Sequence, residues 1–470
     1  MDLDLLVIGS GPGGQRAAIQ AAKLGKRVGV IERRNRIGGV SIHSGTIPSK
    51  TLRQAILEDL AGRGADLPDP LHPERQEHAA VTMLHDRVGR VVASETAVVR
   101  EQFRRNNVGL LTGDAQFVDP HTIRITDRDE DGGEMVVTAE NVVIAVGTSP
   151  ARPSGVDFDD RRVIDSDGVM ELDYSYCKTM TIVGGGVIGV EYTCMFAALG
   201  VRVTLIEKRP RLLEFADQEI IEALSYHLRD SRVTMRLGEE VDSVEELPDG
   251  TVVANLQSKK KVSGDALLYA VGRQGAVDEL NLAAAGLEAD NRGRIPVDEH
   301  FQTSVPHIFA VGDVVGFPSL ASVSMEQGRI AAARAFNDNA AHSNPSFYPY
   351  GIYTIPEISF IGKTEEQLTD EDVPYEVGMA YYRETARGQI RGDTTGRLKL
   401  VFHRDTRKVL GVHIIGEGAA ELVHIGQAVM ILGGTVDYFI DTVFNYPTLA
   451  ECYKAAAFNG IGRLNRYQTG

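Results

Sequence analysis

The chain is poor in cysteine. Its 470 residues hold three, Cys177, Cys194 and Cys452, widely spaced and in neither a CxxC nor a metal-ligand pattern, so they read as ordinary thiols and no metal site is expected. No uninterrupted apolar run is long enough to span a bilayer. The N-terminus, MDLDLLVIGSG, is acidic and enters a strand and a glycine turn at once, which reads as neither a signal nor a transit peptide. Positive charge is also short. Against 65 Asp and Glu stand 49 Lys and Arg, a net charge of −16, which disfavours nucleic acid and anionic membrane as partners. A cytoplasmic location is the expectation.

What is present is an ordinary globular composition, 43% hydrophobic and 24% charged, in a chain long enough for about three domains. Leu3 to Ile8 is a continuous apolar run, as a buried parallel strand requires. It leads into Gly9-Ser10-Gly11-Pro12-Gly13-Gly14, a helix closed by Gly25, and a strand from Arg27 that ends in Glu32. Glycines at 9, 11 and 14 let the backbone approach a pyrophosphate at a helix N-terminus, and the acid bonds a ribose hydroxyl.

The unit then recurs. The strand Thr179 to Val183 leads into Gly184, Gly186, Ile188 and Gly189, and the next strand ends in Glu207. From first glycine to acid the spacing is 207 − 184 = 23 in the second unit and 32 − 9 = 23 in the first. Each unit has a later closing strand of similar ending, Val142 to Thr148 through Gly147 and Leu267 to Arg273 through Gly272. Four matching features make two dinucleotide-binding domains the economical reading. Between the first unit and its closing strand, residues 51 to 105 are charged and helix-prone, with Asp66 to His78 reading as a surface loop. From Tyr348 onward the pattern changes to antiparallel strands over 373–382, 397–403 and 408–416. Two helices follow, around Ala419 to Leu432 and from Thr448.

The stretch GGVSIHSGTIPSK (38–50) resembles the disulfide segment of the flavoprotein disulfide reductases with two dinucleotide-binding domains. Where that family has two cysteines, this chain has Ser41 and Thr46, and hydroxyls cannot form a disulfide. The family's paired histidine is likewise replaced, by Tyr446 before Pro447 and Thr448. A tyrosine, with an ordinary pKa near ~10, is a poor proton shuttle at neutral pH. Packing is an equal reading for Tyr446 and the larger one for His43. The likeness runs from Leu3 to about Arg463. Within the family, GTIPSK (45–50), GFPSLA (316–321), GIYTIPE (351–357) and FNYPT (444–448) together resemble the soluble, FAD-containing pyridine nucleotide transhydrogenase branch. Ser41 departs even from that branch, whose members often keep the first cysteine.

The resemblance implies an α/β fold with two Rossmann-like domains, the NAD(P)-binding one inserted in the FAD-binding one, and a C-terminal α+β dimerisation domain. The expected boundaries are 1–150 and 275–346 for FAD, 151–274 for NAD(P) and 347–470 for the interface of a homodimer or higher homo-oligomer. FAD is expected on Gly9, Gly11, Gly14, Glu32, Arg33, Gly38, Gly39, Val40, Ser41, Lys50, Ala115, Gly147, Asp313 and Ala321, with Asp313 bonding the ribityl chain. NAD and NADP are expected on Gly184, Gly186, Ile188, Gly189, Glu207, Lys208, Arg209 and Gly272. Lys50 and Glu191 are the implied catalytic pair, a cation near the flavin and its partner carboxylate. Glu207 suits NAD, while Lys208 and Arg209 either receive a 2′-phosphate or solvate a turn. The expected activity is ping-pong hydride transfer between NADPH and NAD⁺ through FAD. Quinone or dye reduction and a non-catalytic flavin-bound scaffold are the alternatives.

Overall fold

The computed structural model describes residues 1–33, 36–63, 73–127, 133–172, 177–338 and 347–468. They divide into two compact units. One comprises Met1–Ser154, Phe158–Tyr176 and Val271–Ser343, and the other Gly155–Asp157, Cys177–Ala270 and Asn344–Gly470.

In the first unit the strand Leu3–Ile8 lies between Val28–Glu32 and Glu134–Ile144, with Gly109–Thr112 beyond the former and Ile308–Ala310 beside the latter, all parallel. Leu5, Leu6 and Val7 are fully buried, which is why the run is apolar without alternation. The helix Pro12–Lys23 begins with proline in its first turn, where no amide hydrogen bond is lost. It packs closely against Ala321–Ala335. A Cβ on Gly328 would stand 2.0 Å from the Gly13 carbonyl oxygen, so only small residues allow this approach. The 11-residue strand Glu134–Ile144 serves two sheets. Its first half continues the antiparallel pair Asp114–Asp119 and Thr122–Thr126, and its second half enters the parallel sheet.

The second unit repeats this plan. Thr234–Leu237, Arg202–Glu207, Thr179–Val183 and Ala266–Tyr269 run parallel in that order, and the antiparallel sheet Val241–Glu246, Val252–Leu256 and Lys261–Gly264 falls in the chain between Thr234–Leu237 and Ala266–Tyr269. The same unit holds an antiparallel sheet ordered Tyr350–Ile352, Ile358–Gly362, Val409–Ile415, Arg397–His403 and Tyr375–Tyr381. The helix Glu451–Gln468 rests on its edge strand. A Cβ on Gly378 would meet the Ala456 carbonyl oxygen at 1.9 Å.

Three details differ from the sequence reading. Residues 73–78, expected in a loop, open the 33-residue helix Pro73–Arg105, while residues 66–72 lie outside the described residues. Neither closing strand is continuous. Glu134–Ile144 breaks before Thr148–Pro150, and Ala266–Tyr269 before Arg273–Gly275. The breaks hold Gly147 and Gly272, whose φ of +66° and +127° take the backbone out of the extended region. A short helix, Gly39–His43, fills the loop in which the family carries its disulfide.

Candidate active site: two glycine cradles

The two glycine turns are superimposable in their hydrogen bonds. Gly9 N donates to Ile31 O and Gly184 N to Ile206 O, both at 2.8 Å, while Ala145 N donates to Ile8 O and Ala270 N to Val183 O, again both at 2.8 Å. Gly9 and Gly184 take φ of +104° and +113°. A Cβ on Gly14 would lie 2.0 Å from Gly9 O, and one on Gly189 1.8 Å from Gly184 O. These are the glycines that close helix on strand. By contrast, a Cβ on Gly11, Gly147, Gly186 or Gly272 would meet nothing within 4 Å. Both turns therefore present bare backbone toward open space at a helix N-terminus, which fits a pyrophosphate in each. Ile188 sits half-buried in the first turn of the second helix, Val187–Ala198.

Around the first turn, Glu32 accepts from Ser10 N at 3.1 Å and makes a short bond with the Ser10 hydroxyl. That hydroxyl in turn accepts from Gly38 N at 2.8 Å. Gly38 and Gly39 take φ of +111° and +63°, and a Cβ on Gly39 would stand 3.0 Å from Gly11 Cα. The second glycine pair thus folds over the first turn. Val40 is exposed and Ser41 half-buried. His43 Nε2 lies 3.0 Å from Ile37 O, so this ring closes the loop on itself. Arg33 pairs with Asp114 at 3.1 Å and Glu279 at 3.2 Å. Ala115 is buried in the antiparallel extension of the sheet. Lys50 is half-buried, its Nζ 3.3 Å from Ser49 Oγ.

Asp313 follows Gly312 in a short 3₁₀ turn, and Ala321 opens the next helix. Burial pushes the Asp313 carboxyl up, and the nearby Arg273 guanidinium and Thr148 hydroxyl offset only part of that rise. Arg273 was not singled out from the sequence, although it ends the second closing segment. It donates to Thr148 Oγ1 at 2.9 Å, Thr148 O at 2.8 Å, Ser166 Oγ at 3.2 Å and Asp167 Oδ1 at 2.7 Å. One side chain so ties the loops around Asp313 together.

Around the second turn, Glu207 is 4% exposed and accepts from Gly185 N at 2.5 Å. Arg209 donates to it three times, from N at 2.8 Å and from Nε and Nη2 at 2.9 Å each. Burial pushes the Glu207 carboxyl up, but these Arg209 and Gly185 bonds outweigh it and hold the group below the usual carboxylate range. Lys208 is exposed. Glu191, on the same glycine-turn helix, is 4% exposed and accepts from Tyr353 N at 2.8 Å. Tyr446, in the same unit, is 74% exposed.

The pyridine nucleotide-disulphide oxidoreductase family matches residues 3–328 and its dimerisation domain residues 348–457. The soluble pyridine nucleotide transhydrogenase of Mycobacterium bovis (strain BCG / Pasteur 1173P2) is 50% identical over 470 residues, covering 98% of each chain. That of Colwellia psychrerythraea is 45% identical, covering 98% of this chain and 99% of its own. Among solved structures, LpdA from Mycobacterium tuberculosis superimposes with a TM-score of 0.87 at 25% identity, over 96% of this chain and 98% of that one. The HOCl-induced flavoprotein disulfide reductase RclA from Escherichia coli gives 0.84 at 27% identity, over 97% and 99%. The chain belongs to the pyridine nucleotide-disulphide oxidoreductase family, on its soluble pyridine nucleotide transhydrogenase branch.

Proposed function

We propose that this chain catalyses FAD-dependent hydride transfer between NADPH and NAD⁺ without a redox-active disulfide, in the cytoplasm. The observation that carries the reading is the pairing of two intact glycine cradles with Ser41 and Thr46 at the positions of the lost thiols. FAD, when bound, accepts a hydride from one nicotinamide and gives it to another. The residues supply placement and charge. The Gly9–Gly14 turn and Glu32 hold the adenosine diphosphate half of FAD, and the Asp313 carboxyl, which burial pushes up, meets the ribityl hydroxyls. The N-terminus of Ala321–Ala335 and the Lys50 ammonium place positive potential where negative charge develops, which lowers the barrier without a proton shuttle. Glu191, held by the Tyr353 amide, is the second residue to which a catalytic role is given.

Steady-state reduction of a spectrally distinct NAD analogue by NADPH tests this, with menadione as acceptor in a parallel assay. Turnover with the analogue at a rate comparable to menadione or better supports the proposal. Turnover with menadione alone would instead favour quinone reduction, a reading helped by the exposure of Val40 and Thr46 beside the altered loop.

A further inference from the structure

The three cations that follow Glu207 are not equivalent. Arg211 donates to Gln218 Oε1 at 3.2 Å and Glu214 O at 3.1 Å. Lys208 points to solvent. Arg209 lies with its Nε–Nη2 edge on Glu207, while its Nη1 reaches Glu214 only at 4.0 Å. Its backbone is fixed, because Gly238 N donates to Arg209 O at 3.0 Å and Glu239 N to Glu207 O at 3.1 Å. The guanidinium, 38% exposed, is thus the accessible part of an otherwise pinned pair whose carboxylate is 5% exposed. A site that takes NADPH and NAD⁺ in turn must receive a dianion and a neutral diol at one ribose. With Glu207 alone it would repel the first, and with a permanently free arginine it would discriminate against the second.

We propose that Arg209 is a two-position selector. With a free 2′-hydroxyl the guanidinium stays closed on Glu207, leaving a neutral pair against the ribose. With a 2′-phosphate it turns about its fixed Cα and forks onto the phosphate, while Glu207 keeps the Gly185 amide. This deepens the assignment of the second glycine turn to the nicotinamide nucleotide and rests on it. Charge-assisted forks of this kind shift affinity about tenfold to a hundredfold.

The test is binding of two redox-silent probes, adenosine 2′,5′-bisphosphate and adenosine 5′-phosphate, to the full-length holoenzyme by titration calorimetry. Arg209→Gln is expected to raise the ratio of bisphosphate to monophosphate dissociation constants by about tenfold to a hundredfold. Glu207→Gln, which releases the guanidinium, is expected to lower that ratio by about tenfold. In the double variant Glu207→Gln with Arg209→Gln that gain should vanish, since no guanidinium is left to release. A gain that persists there means Glu207 acts by repulsion alone, and the selector is overturned. An unchanged ratio in Arg209→Gln overturns it as well. A second measurement needs no change at Glu207. The Arg209 Nε–H resonance, assigned by its loss in Arg209→Gln, should shift with the bisphosphate and stay with the monophosphate. A resonance indifferent to both overturns the proposal. Neither probe carries a nicotinamide, so a chain that fails to pass electrons from NADPH to NAD⁺ still shows or lacks the selector. A chain that binds neither probe loses both readings together.

Discussion

Ser10 occupies a variable position of the first glycine turn, yet its hydroxyl is what joins Glu32 to Gly38. Removing it leaves the Gly38 amide and a Glu32 oxygen without that partner, a penalty of about 1–3 kcal/mol. Ser10→Ala is therefore expected to release flavin about fivefold to a hundredfold more readily, measured as the rise in free flavin fluorescence on dilution. Lys399 makes the corresponding point in the second unit. It is 1% exposed and pairs with Asp217 at 2.9 Å, Glu219 at 3.2 Å and Glu365. Asp217 also caps the helix Gln218–Asp230 through Ile220 N. Burial pushes the Lys399 ammonium down, but its carboxylate partners outweigh that and raise its pKa. Raised above its unfolded value, the group stabilises fully below the ordinary lysine range and loses that contribution only as alkaline pH passes through the folded value. Lys399→Met leaves Asp217 buried without its cation and is expected to cost about 3–5 kcal/mol, read from denaturant midpoints at neutral pH. Glu32 and Glu207 were legible in the sequence because a spacing of 23 residues repeats. Ser10 and Lys399 were not. A serine inside a glycine fingerprint carries no pattern, and in RLKLVFH the alternation points Lys399 outward while its partner Asp217 lies 182 residues away.

At the scale of elements, strand, glycine turn and helix were readable because each depends on nearby chemistry: an apolar run, positive φ, a proline in the first turn. What eluded the pattern depends on distant contact. The helix Gly39–His43 is held by the turn beneath it, and residues 73–78 are helical as the start of a much longer element. The two cradles should also fail separately. A Cβ on Gly189 collides with the Gly184 carbonyl at 1.8 Å, and backbone cannot yield as a flexible side chain can. Gly189→Ala is expected to weaken NADH and NADPH by an order of magnitude or more while the purified protein stays yellow. Equilibrium dialysis of both nucleotides and the flavin-to-protein absorbance ratio check the two halves of that statement. Loss of flavin along with nucleotide binding would contradict the independence of the cradles.

For the whole molecule, the proposed hydride transfer asks nothing of the thiols. Cys177, Cys194 and Cys452 are buried thiols, and burial pushes the Cys452 thiol up to about 12, far from the thiolate that reacts. Alkylating reagents should leave nucleotide-driven turnover largely intact, and lipoamide should not be reduced. Measurable dihydrolipoamide oxidation by a clean preparation would refute this. The dimerisation domain, in turn, exposes Leu432 at 85% and Val443 at 90%, side chains that association of two chains would cover. Leu432→Asp with Val443→Asp is expected to shift the homo-oligomer toward monomer in light scattering, and an unchanged mass would place the contact elsewhere on the domain.

The contrast between the two acids has a kinetic consequence. At the first, a hydroxyl fixed in the turn stitches Glu32 to the overlying Gly38. At the second, Gly185 stands where Ser10 does, and a Cβ there would already crowd Glu207 at 3.0 Å, so the stitch is replaced by a guanidinium on a long, rotatable arm. Dissociation rates follow from what must break before a ligand leaves. On the proposed assignment the first cradle suits a cofactor that stays bound, and the second suits nucleotides that come and go within each turnover. One duplicated backbone is thus expected to show two residence times, the longer where Ser10 stitches Glu32 to Gly38.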